Sequence, residues 1–161
     1  MIPKKATHKS AKSTTASGKT VKGFTDEERI AMKERVQELK TAARSGPRTD
    51  KADGESAVLA KIAEMPEPDR ALGERLHCII TEAAPVLAPK TWYGMPAYAR
   101  DGKAVVFFQA ASKFKVRYAE VGFNEPAQLD DGDMWPTAYA VVAMNDAVAK
   151  KLTSLVTKAA G

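Results

Sequence analysis

The residues best suited to hold a ligand crowd into one run, Lys90 to Tyr98, where Trp92, Tyr93, Met95 and Tyr98 stand among Gly94 and Pro96. Proline has no N–H to donate, so Pro96 does not belong inside a fully paired strand. Gly94 permits a bend that a side chain would block. Together they predict a bend or bulge that leaves Trp92, Tyr93, Met95 and Tyr98 around a shallow hollow, the candidate ligand site. Lys113, Lys115 and Arg117 follow, and with Arg100 and Lys103 they would offer positive charge to an anion or to nucleic acid. The competing reading is a tight corner whose aromatics seal the core, with the cations on an ordinary solvated sheet face.

A second cluster is acidic: Asp130, Asp131 and Asp133 around Gly132. Three close carboxylates suit a hard cation such as magnesium, calcium or iron. The spacing is not that of an EF-hand, and Asp and Gly also form solvated turns unaided. Other chemistry is thin. His77 and Cys78 are neighbours on an expected helix and point apart, the histidine at the helix surface or partly packed rather than a catalytic base, and the cysteine in an inert core position. There is no zinc ligand set, nucleophile elbow, Walker loop or dinucleotide fingerprint.

The totals constrain the setting. With 161 residues, 44% of them hydrophobic and 28% charged, the chain has material for one globular domain. One cysteine rules out an intrachain disulfide and fits a reducing compartment, so the cytoplasm is expected. The net charge of +5 is unevenly placed. Six lysines and no acid occupy residues 1–24, which leaves 19 basic and 20 acidic residues in 25–161. A Lys/Ser/Thr/Ala/Gly tail of this kind has little to bury and is expected to be disordered. It is either a solvated leader or a source of salt-dependent nucleic-acid affinity.

The elements that must carry these residues are legible from periodicity. Thr25 with Glu28 forms a capping box opening a helix, on which Met32, Val36, Leu39 and Ala43 make a narrow apolar stripe. Residues 45–56 read as a linker or loop inside the domain. Val58, Leu59 and Ile62 mark a short helix before Pro66. A stronger stripe of Leu72, Leu76, Ile79, Ile80 and Ala83 follows on the main helix. Ala104–Phe108 is apolar on both faces and predicts a central strand, with Ile80 and Phe107 or Phe108 fully buried. Phe114–Phe123 reads as a strand with a bulge near Ala119-Glu120, and Thr137–Met144 as the last strand. Asn145 caps a terminal helix bearing Val148, Leu152, Leu155, Val156 and Ala159.

These blocks also resemble a known family. Thr91-Trp92-Tyr93-Gly94-Met95-Pro96-Ala97-Tyr98, then Asp101-Gly102-Lys103 and the Val105–Phe108 strand, are similar to the YdhG-like domains of unknown function. Lys113-Phe114-Lys115, Gly122-Phe123, Leu129-Asp130-Asp131-Gly132 and Met134-Trp135-Pro136-Thr137 resemble blocks of one bacterial branch, as does Ala60-Lys61-Ile62-Ala63-Glu64-Met65-Pro66 through Ile80. The resemblance covers residues 25–160. It implies an α+β fold of four to five antiparallel strands packed by N-terminal and C-terminal helices. One characterised member is a frataxin-like iron chaperone, which implies iron as a possible cargo. The expected function is therefore a non-enzymatic small-ligand or metal-binding module. An iron chaperone using the acidic loop, and a nucleic-acid-associated protein using the basic tail and sheet face, are the alternatives.

Overall fold

A computed structural model describes residues 23–45 and 51–161. The expectations for residues 1–22 and 46–50 lie outside the described residues. Three helices come first: α1 (Asp26–Ser45), α2 (Lys51–Ala63) and α3 (Asp69–Ala83). Strands β1 (Ala88–Trp92), β2 (Met95–Arg100) and β3 (Lys103–Gln109) follow, then one helical turn, α4 (Ala111–Phe114). Strands β4 (Ala119–Phe123) and β5 (Ala138–Val141) and helix α5 (Asp146–Ala160) complete the chain. The sheet is an antiparallel meander in the order β1-β2-β3-β4-β5, which puts the two-sided apolar strand β3 at its centre.

The register assigns side chains to two faces. Tyr98 pairs with Val106, Val106 with Phe123 and Phe108 with Val121, and these residues form the floor of the main core. Helices α2, α3 and α5 close it with Val58, Ile62, Leu76, Ile80, Leu152 and Val156. Ile80 and Phe108 are each 1% exposed, as the apolar pattern requires. The capping box forms in both directions: Glu28 N–H donates to Thr25 Oγ1 at 3.2 Å and Thr25 N–H to Glu28 Oε2 at 2.8 Å. Asn145 accepts from Val148 N–H at 2.9 Å and starts α5.

Four local expectations are overturned. Residues 51–56, read as part of a linker, form the first turns of α2. Gly54 costs helix propensity, but an added Cβ there would fall 2.1 Å from the Pro89 carbonyl oxygen, so the glycine lets α2 lie against β1. The segment 114–118 is not strand. Asp69, buried at the start of α3, accepts the Ser112 N–H at 2.9 Å and so organises α4, after which Lys115 turns left-handed. The sheet irregularity falls at Tyr98/Ala99 instead of Ala119-Glu120. Finally, His77 is buried and Cys78 exposed, because α3 packs with His77 toward β2.

Candidate functional site

The Lys90–Tyr98 run is a hairpin. β1 and β2 join through the two-residue turn Tyr93-Gly94, with φ of 53° and 71°. Both values lie in the left-handed region that a tight type I′ turn demands, and glycine accepts it without strain. Pro96 sits opposite Thr91 in β2, while the pairing of β2 with β3 starts one residue later, at Ala97 with Phe107. The missing donor therefore falls where β3 makes no demand on it.

Helix α1 lies across the tip of this hairpin, on the sheet face opposite the main core, and its grip is polar. Glu38 accepts both turn amides: Tyr93 N–H at 3.0 Å to Oε2 and Gly94 N–H at 2.8 Å to Oε1. Charge-assisted bonds of this kind are the stronger class. One turn earlier, Glu34 bridges Lys61 of α2 at 2.8 Å and Lys113 of α4 at 2.7 Å. Partial burial opposes its ionisation, but the hydrogen bonds and charges of the two lysines outweigh that and hold the carboxyl below the usual value. Glu27 pairs with Lys115, and the Arg35 guanidinium stacks 5.4 Å above the Tyr93 ring. A Cβ on Gly94 would fall 1.9 Å from Glu34 Oε2, so a side chain there would displace the carboxylate from its present place.

Between α1 and the sheet this arrangement leaves a hollow of about 360 Å³. Trp92, Tyr93, Met95, Phe107, Gln109 and Phe114 line it from the sheet side, and Phe24, Glu28, Ala31 and Met32 from α1 and the residues leading into it. Trp92 and Phe107 pack with ring centroids 5.1 Å apart, and Tyr93 meets Trp92 edge-on at 4.8 Å. The volume is in the range of small-ligand pockets, and the walls are aromatic and thioether with two polar side chains.

Three of the four residues expected around the hollow are there: Trp92, Tyr93 and Met95. Tyr98 is not. It is 1% exposed on the opposite face, its hydroxyl 2.9 Å from His77 Nδ1, while His77 Nε2 lies 3.2 Å from Glu55 Oε1. Burial, with the nearby Cys78 and Glu55, raises the Tyr98 pKa well above the ordinary phenol value. The expected basic face dissolves as well. Lys113 and Lys115 are engaged by Glu34 and Glu27, and Arg117 stacks over the Tyr118 ring at 5.2 Å. Asp130, Asp131 and Asp133 are all exposed, and among the described residues no group of three or more His, Cys, Asp or Glu side chains is placed to hold a metal ion. The acidic loop thus provides no convergent coordination shell.

Phe24, Ala31, Met32, Phe107 and Phe114 belong to the site without having been expected there. Phe107 was legible in the two-sided strand, and its ring lies over Gly122. The α1 residues were not, because the helix turns its glutamates, not its apolar stripe, toward the body. No helix among the described residues is long and apolar enough to cross a membrane. No family model matches the chain, and neither the curated proteins nor the solved structures give a significant match. What the fold defines is a class: an α+β protein with helices flanking a five-stranded antiparallel sheet.

Proposed function

We propose that the protein is a non-enzymatic binding module of the YdhG-like kind, working in a reducing cytoplasm, that receives an apolar or aromatic group in the hollow under α1. The observation that carries this reading is the aromatic lining itself. A concave space walled by Trp92, Met95, Phe107 and Phe114 is costly to leave in water and gains by taking up apolar surface. Gln109 and Glu28 are the polar groups that would orient the occupant. The YdhG-like motif blocks support the same reading, since they centre on the hairpin that forms the hollow's edge.

The test uses 1-anilinonaphthalene-8-sulfonate as an aromatic probe. Wild-type protein should bind it saturably, with enhanced and blue-shifted dye emission. Met32→Trp fills the hollow from its partly exposed rim and should weaken binding about tenfold or more at an unchanged melting temperature, tenfold being about 1.4 kcal/mol. Equal binding by the two proteins would remove the hollow as the site.

A further inference from the structure

Helix α1 is attached by the wrong face for a simple amphipathic helix. Ala31 is its one buried hydrophobic residue, while Met32, Val36 and Leu39 are 37%, 51% and 53% exposed. With Ala43 they fall within one narrow sector of the helix and form a ridge of about 18 Å, taking 1.5 Å per residue from 32 to 43. The ridge is continuous with the hollow, because Met32 belongs to both. On its far side runs a basic rail: Lys33 and Lys40, about two helical turns apart, with Arg44 beyond them. These three have no ion pair among the described residues, whereas Lys61, Lys113 and Lys115 near the helix all do. In the sequence the lysine-rich segment 1–22 precedes Gly23, and Phe24, the next residue, lines the hollow.

We propose that α1 and the hollow together form a docking groove for an acidic amphipathic helix of another protein. It lies along the Met32–Val36–Leu39 ridge, sets its acidic flank against Lys33 and Lys40, and inserts one large apolar side chain into the hollow. This rests on the hollow being a binding site for apolar groups, and names what presents such a group. Helix-in-groove recognition needs an apolar ridge, an anchor pocket and complementary charge, and all three adjoin here. A second copy of the chain fits less well, since laid antiparallel on the ridge it would set the basic rail against itself. A bilayer surface would meet the ridge but has no protruding group for the hollow.

The experiment uses the full chain and a fluorescein-labelled peptide of about 18 residues, five helical turns, with Leu at helical spacing, a central Trp and Glu on one flank. Anisotropy should show saturable binding. Val36→Asp/Leu39→Asp and, separately, Lys33→Glu/Lys40→Glu should each weaken it roughly tenfold or more, and their exposed positions keep the melting temperature near wild type. A peptide with Lys replacing Glu should bind at least about tenfold more weakly than the acidic one, reflecting charge complementarity. Sedimentation with phosphatidylserine vesicles and sedimentation velocity of the protein alone read out the other two occupants. The proposal is overturned if either the ridge variant Val36→Asp/Leu39→Asp or the rail variant Lys33→Glu/Lys40→Glu binds the acidic peptide like wild type, or if no binding is seen at about millimolar peptide. It is equally overturned if the ridge variant abolishes vesicle binding or self-association instead. Should dye binding remain sensitive to Met32→Trp while the peptide fails to bind, the docking groove falls and the hollow stands. Peptide binding that needs the ridge but ignores Met32→Trp would remove the hollow's part instead.

Discussion

The two faces of the sheet are held to their helices by different forces. On one, α2, α3 and α5 bury a continuous apolar core through Val58, Ile62, Leu76, Ile80, Leu152 and Val156 against Tyr98, Val106, Phe108 and Val121. On the other, α1 is pinned by Glu34 and Glu38 to lysines and to hairpin amides, with Ala31 alone fully packed among its apolar residues. Apolar packing fills space, whereas a few directional polar bonds hold a helix at a distance. The second arrangement is how an apolar hollow stays open beside a folded core.

Truncation should separate the faces most strongly. Phe108→Ala should lower the unfolding free energy by about 3–5 kcal/mol in urea denaturation, as for other fully buried rings. Phe107→Ala, one residue away but only partly buried on the hollow side, should lose less, about 1–2 kcal/mol, because it has less burial to give up. Equal losses would mean that the two faces are equally well packed.

A smaller effect is expected from the clamp. Glu38→Ala leaves the Tyr93 and Gly94 amides without their carboxylate and should cost about 1–3 kcal/mol, mostly as local release of α1. Hydrogen exchange should then quicken in α1 while the amides of α3 and β3 stay protected. Uniform acceleration would show that α1 belongs to the same cooperative unit as the core.

Acid should act on the same hinge. The folded-state pKa of Glu34 lies below its unfolded value, so its contribution is present above the ordinary carboxylate pKa and is lost as pH falls through the folded one. Trp92 fluorescence, read in a Trp135→Phe background, should therefore change in acid before the far-UV signal of the core does. Glu34→Gln should abolish that early step. An unchanged acid profile in the variant would detach Glu34 from the clamp.

The smallest effect concerns the basic tail. Removing residues 1–22 should shift the melting temperature by less than about 2 °C, since the segment has almost nothing to bury. A loss of several degrees would mean that the tail contributes to one of the two faces.

By itself the sequence determined the elements whose signals are local. The Thr25–Glu28 capping box, the Asn145 cap, the apolar stripes of α3 and α5 and the two-sided run of β3 needed no distant partner to be read. The Gly94/Pro96 pair likewise announced a break in the strand and three residues of the hollow, Trp92, Tyr93 and Met95. Tertiary structure decided the rest. Tyr98 went to the opposite face because side chains alternate along a strand and the two-residue turn set the phase. Lys113 and Lys115 left the expected sheet face because Asp69, more than forty residues away, organises a helical turn where strand was expected. Most of all, the outward turn of α1 was invisible in its own pattern. A stripe of Met32, Val36 and Leu39 shows which face is apolar, but which face meets the body depended on whether the hairpin tip offered amides to Glu38 and lysines to Glu34.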